Sequence, residues 1–224
     1  MPLILNIDTA TETAGICLSN NGESLLLYQN SEQKNHADWL QPAIEKAMRE
    51  TGYKLSDLQA VAVTAGPGSY TGLRVGMATA KGLCYALRIP LITENTLKVM
   101  ALAAKEQLPG FDGLLCPMID ARRMDVFTAV YQTDLVACMP PQAMTVGQGS
   151  FDRWLELGNV SFFGGGSNKC KPLISVPHAH FVQIRYHAGY LGVLSFQLYL
   201  HHEFADTIYC EPAYTKEFYT HNRK

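Results

Sequence analysis

The sequence is short of charge. Asp, Glu, Lys and Arg make up 17% of its 224 residues, against about 25% in ordinary soluble domains. Neither sign dominates, since 18 Lys and Arg against 20 Asp and Glu leave a net charge of -2. The largest basic clusters are the pair Arg122–Arg123 and the terminal Arg223–Lys224. Such a chain lacks the broad basic face that holds nucleic acid, so any RNA it serves is expected to be held by something else. The low charge fits either a surface covered by a partner or a neutral surface rich in Ser, Thr, Asn and Gln.

Other absences narrow the class further. No apolar run reaches the roughly 20 residues of a membrane-crossing helix, and the N-terminus has no positive leader region. The six cysteines include no Cys-x-x-Cys pair; with neighbours such as Ile16 and Leu18 around Cys17, they read as free thiols of a cytoplasmic protein. His36 stands alone, and His178, His180, His187 and the pair His201–His202 lack zinc-ligand spacing, so no metal site is expected. Ser69, between Gly68 and Tyr70, is not in a Gly-x-Ser-x-Gly elbow. No catalytic residue is assigned.

What is present is 47% apolar residues, enough for one large core or two small ones. Residues 3–7 form an apolar strand ending at Asp8. A polar turn (9–13), a return strand (14–18), an Asn21-Gly22 hairpin signal and a third strand (24–28) follow. Residues 114–119 repeat the theme, ending at Asp120, turning over 121–124 and returning through 125–131. We read an internal duplication, with Pro117 placing its strand at an edge or bulge. Helices are expected over 36–50, 73–87, 95–107, 149–157 and 182–202, and further strands over 58–64, 89–92 and 160–163. The 108–113 stretch divides the chain into lobes 1–108 and 109–224, the second ending in a tail that packs back. The fold class is α/β, with mixed sheets flanked by helices.

Three places could carry chemistry. Gly66, Gly68 and Gly72 open a strand-to-helix turn that is either an anion cradle or a tight turn built for close packing. In the helix that follows, Gly72, Gly76 and Ala80 form one row of small residues, and Ala78 and Gly82 form another. Such rows let a second helix approach closely. Asp8, Thr9 and Thr11, with Asp120 and the loop Gly164–Ser167, either line a cleft for ATP and magnesium or satisfy their own turns.

The sequence resembles the bacterial TsaB (YeaZ) group of tRNA threonylcarbamoyladenosine biosynthesis proteins. The stretches that carry this are Ile7-Asp8-Thr9-Ala10-Thr11, Asn35-His36, the run from Ala65 to Gly76, Ala80–Leu83, Ile119–Arg123 and Pro212-Ala213-Tyr214. The resemblance implies duplicated ribonuclease-H-like lobes of the actin-like ATPase (ASKHA) superfamily. It also implies a non-catalytic subunit that binds the catalytic paralogue TsaD, with a TsaE-like ATPase joining and tRNA reached only through the complex. Self-association as a homodimer is implied through the same surface. Carried onto this chain, the interface falls on His36, Leu40, Ile44, Tyr70, Thr71, Arg74, Gly76 and Ala80. A vestigial nucleotide cleft falls on Asp8, Thr9, Thr11, Gly165 and Gly166; no cofactor is expected beyond weak binding of ATP with magnesium. Where the paralogue has Asn-His-x-x-x-His, this chain has Asn95-Thr96 and Met100, and neither can replace imidazole on a metal. The group is also called glycoprotease-like, but no protease constellation is present. Two rivals remain: a nucleotide-dependent enzyme of the sugar-kinase type and a stand-alone homodimeric binding protein.

Overall fold

A computed structural model describes residues 2–31 and 36–213. Asn35, Tyr214 and the pair Arg223–Lys224 lie outside the described residues.

The first half opens with a meander: β1 (Leu3–Asp8), β2 (Ala14–Asn20) and β3 (Glu23–Asn30). Asn21 and Gly22 take the left-handed φ values (52° and 81°) that the tight β2–β3 turn needs. α1 (His36–Thr51), β4 (Ala60–Gly66), α2 (Tyr70–Leu87), β5 (Leu91–Asn95) and α3 (Thr96–Gln107) follow. The sheet order is β3-β2-β1-β4-β5, with β4 and β5 parallel to β1. β1 is buried on both faces, the first lined by Leu3, Leu5 and Ile7 and the second by Ile4 with the polar Asn6 and Asp8. Leu3, Leu5 and Ile7 join Leu40, Ile44, Met48, Met77 and Ala80 on one side. Ile4 joins Ala62, Ile92, Val99, Leu102 and Leu191 on the other.

The second half repeats this order. β6 (Leu114–Asp120), β7 (Asp125–Tyr131) and β8 (Ala137–Thr145) form a meander. α4 (Asp152–Leu155), β9 (Val160–Phe163), α5 (Ser167–Cys170), β10 (Ala179–Phe181) and α6 (Ala188–Leu200) complete it. The order β10-β9-β6-β7-β8 is the first sheet's order read from the other edge, so the duplication is real at the level of topology. α5 has 4 residues where α2 has 18. α3 packs on β6 of the second sheet, while α6 packs on β1 and β2 of the first. The last helix of each half therefore covers the other half.

Several sequence expectations need correction. Pro117 lies in a central strand, between β7 and β9; the Cα pairing of β6 with β7 skips Cys116 and Pro117, and the Pro117 carbonyl accepts from Thr128 Oγ1 (2.9 Å) instead. The helix expected over 149–157 shrinks to α4, flanked by Gly149 and Gly158 at positive φ. The one expected from Val182 begins only at Ala188, where His187 Nδ1 caps it by accepting from the Gly189 N–H (3.1 Å). Strand β8 was not anticipated. Residues 201–213 run back over the first half. Ala205 bridges Leu91, Lys81 Nζ donates to the carbonyls of Ile208 (3.0 Å) and Cys210 (2.9 Å), and Ala213 N donates to Ala65 O (2.7 Å). All six cysteines are free.

Candidate functional site

Asp8 ends β1 at 1% exposure. Its Oδ1 accepts from the Ala10 N–H (3.0 Å) and from Thr64 Oγ1 (2.9 Å). The Tyr186 hydroxyl, on the extended segment before α6, faces this carboxylate from within the protein. It is buried and meets no acceptor at sound hydrogen-bonding geometry. Burial raises the Asp8 pKa above its ordinary value, against the pull of Tyr186, Ala10 and Thr64, and burial likewise drives the Tyr186 phenol well up. The carboxylate is thus enclosed by the chain's own groups.

The next residues are equally occupied. Thr9 Oγ1 donates to Gly72 O (2.6 Å), and Thr11 Oγ1 donates to Thr13 O (3.3 Å). The glycines of the 66–72 loop are present because α2 starts against this turn. A Cβ on Gly68 would lie 2.2 Å from Ala10 O, and one on Gly72 would lie 2.0 Å from Thr9 O. The Ser69 N–H is spent on Ala10 O (2.7 Å), and Ser69 Oγ caps α2 by accepting from Gly72 N (3.3 Å). Close packing, not an open anion cradle, is what this loop builds.

The matching strand-end in the second half differs. Asp120 is exposed, accepts from Arg122 N (2.6 Å) and pairs with Lys169 (2.9 Å). A small desolvation is outweighed by Lys169 and the Arg122 N–H, which hold its pKa below the ordinary value. A Cβ on Gly164 would meet Met118 O at 2.4 Å and one on Gly166 would meet Ile119 O at 3.0 Å, whereas Gly165 faces open space. Among the described residues no hydrogen bond joins Asp8, Thr9 or Thr11 to Gly165 or Gly166. The candidate cleft residues stand at the ends of two different sheets.

On α3, Asn95 Oδ1 caps the helix by accepting from Leu97 N (2.9 Å). Thr96 and Met100 are both buried, Met100 in a cluster with Leu115, Ala129 and Phe163 of the second sheet.

The candidate interface also divides. His36, Leu40, Ile44, Gly76 and Ala80 are buried within the chain, and a Cβ on Gly76 would lie 2.3 Å from Thr9 Oγ1. The Gly72–Gly76–Ala80 row therefore serves the chain's own core. Tyr70, Thr71 and Arg74 are exposed, with the Arg74 guanidinium 4.0 Å from the Tyr70 ring centroid. The second row faces out: Ala78 is exposed, and a Cβ on Gly82 would meet nothing within 4 Å. Tyr85, 83% exposed, extends it, and Ile208 and Tyr209 on the returning tail are exposed as well. Tyr85, three residues beyond Gly82, falls beside that row and was legible by helical spacing; Tyr186 had no signal, because it approaches Asp8 from the other half.

The family model described as "TsaD: tRNA N6-adenosine threonylcarbamoyltransferase" matches residues 30–183. A Bacillus subtilis protein, tRNA threonylcarbamoyladenosine biosynthesis protein TsaB, is 37% identical over 157 residues, covering 69% of this chain and 65% of that one. The chain belongs to the TsaD family and, within it, to the TsaB (YeaZ) group. It spans less than two thirds of the length of the curated TsaB proteins it matches. Other relatives in the TsaD family bear the name of the transferase itself. Among solved structures, YeaZ from Pseudomonas aeruginosa superposes with a TM-score of 0.81 at 22% identity, covering 96% of this chain and 100% of that one. A polyphosphate/ATP-glucomannokinase from Arthrobacter does so at TM-score 0.53 and 12% identity, covering 89% and 100%. Both likenesses concern the fold alone.

Proposed function

We propose that this TsaB-group chain is the non-catalytic partner of a TsaD-type transferase. In this reading it is required for threonylcarbamoylation of adenosine 37 in tRNAs that read codons beginning with adenine. The observation that carries the reading is on α3, where the paralogue's metal-binding histidines would stand. Thr96 and Met100 hold those positions, and both are buried in packing. The closed surroundings of Asp8 support it, because a phosphate-bound magnesium would need the carboxylate edge that Thr64, Ala10 and Tyr186 now surround.

The partner meets the outward face of α2, through Tyr70, Thr71, Arg74, Ala78, Gly82 and Tyr85. Small residues there admit a second helix at close range, and the aromatic residues at its ends supply buried area. Self-association uses the same face, so a second copy and the transferase compete for it. A TsaE-like ATPase joins the pair, and the tRNA is held mainly by the transferase.

An omission assay tests the reading. Transferase, ATPase, threonylcarbamoyl-adenylate synthase, threonine, bicarbonate, ATP and unmodified tRNA are combined with and without this chain, and modified adenosine is counted. Product is expected only with the chain present, and none from the chain alone. Equal product without it would refute the partner role.

A further inference from the structure

The tip joining β6 to β7 carries Arg122 and Arg123 side by side, both exposed and both at left-handed φ (67° and 48°). No other two consecutive non-glycine residues among the described ones share a positive φ. Arginine takes that conformation at a steric cost that glycine avoids. The turn is nonetheless pinned. Arg122 N donates to Asp120 Oδ1 (2.6 Å), Asp125 N to Arg122 O (3.0 Å), and Ala121 N to Asp125 O (3.1 Å). Lys169 Nζ ties it to α5 by donating to Asp120 Oδ1 (2.9 Å) and Asp125 O (3.0 Å). Asp120 is thereby committed to Lys169, and among the described residues neither guanidinium is in an ion pair.

Asp120 and Asp125 flank the arginines, and Lys169 offsets the first of them. Lys169 belongs to a stretch, Leu157 to His202, that contains no Asp or Glu. Lys171, exposed, follows Lys169 by two residues. Among the described residues, the only exposed large apolar side chain at the tip is Met124, too little for the apolar centre of a protein interface. Two guanidinium forks side by side on a pinned backbone turn, neither in an ion pair among the described residues, match phosphate oxygens.

We propose that Arg122 and Arg123 contact the phosphate backbone of the tRNA once the chain is seated on the transferase. This rests on the reading of the chain as that enzyme's partner. Two such contacts on a chain of net charge -2 cannot hold RNA alone, but they add to affinity when another subunit supplies the rest.

The test uses the full chain assembled with the transferase, the assembly being confirmed by sedimentation before tRNA is added. Unmodified tRNA is titrated over a range of salt against wild type, R122Q/R123Q, R122K/R123K and R122G/R123G. The Gln pair should weaken binding roughly tenfold and flatten the log affinity–log salt slope by about 1–2, with the Lys pair keeping the slope. The Gly pair should melt at a higher temperature yet lose affinity like the Gln pair, which a structural role for the arginines would not produce. Unchanged affinity and slope in an intact assembly would overturn the proposal alone. Loss of ATPase recruitment with tRNA binding unchanged would also overturn it, moving the site to an acidic protein surface. Failure of the wild-type chain to assemble with the transferase would overturn the partner reading together with it.

Discussion

Gly76 and Gly82 sit six residues apart on one helix and are held to opposite requirements. At Gly76 a side chain would collide with Thr9 Oγ1, which the Thr9–Gly72 hydrogen bond fixes in place. At Gly82 a side chain would project into open space. Gly76→Leu should therefore cost several kcal/mol of stability through overpacking, read as a lower midpoint in urea. Gly82→Leu should leave the fold intact, or raise its stability by up to about 1 kcal/mol through helix propensity. The same change should weaken association with the transferase in sedimentation. Both rows of small residues are visible in the sequence. Which of them faces inward is decided by Thr9, a residue more than sixty positions away, and no local pattern records that.

At the scale of elements, α6 is tied to the first sheet by a buried polar network. Ser195 Oγ donates to Asn6 Oδ1 (2.6 Å), and Asn6 Nδ2 donates to Ser19 Oγ (2.9 Å) and Cys17 O (3.1 Å). Ser195→Ala leaves the Asn6 carbonyl oxygen without its donor in a fully buried site, which should cost about 1–3 kcal/mol by chemical denaturation. The strands of both meanders were legible because an apolar run, a terminal aspartate and a turn recur in order. β8 was not, because Pro140 and Pro141 interrupt its alternation, as an edge strand permits. The start of α6 was misplaced because Val182, Ile184 and Tyr186 pack as an extended segment against the second sheet and α3. Apolar residues there fit a helical run and a strand equally, and His187 is not among the usual capping residues.

For the whole molecule, the exchange of final helices between halves sets what can be separated. Without α6, the face of the first sheet formed by Ile4, Ala60, Ala62 and Ile92 would lose its cover from Leu191 and Leu194. We propose that residues 1–108 and 109–224 are lobes in topology that fold only together. A fragment of residues 1–108 should show no cooperative thermal transition by circular dichroism, and mixing in 109–224 should restore one. The surroundings of the candidate nucleotide-cleft residues were the least legible part of the chain. The sequence supplies Asp8, Thr9, Thr11, Gly165 and Gly166, but what closes over Asp8 is Tyr186, brought by the path of the chain between β10 and α6.

The shrinkage of α5 to 4 residues against the 18 of α2 bears on valency. An evenly duplicated chain would present the long outward helix twice and could be threaded, copy after copy, into an open polymer. This chain presents it once. On the proposed pairing through α2, contacts made through that face end at a pair, because the second half offers no second long helix of this kind.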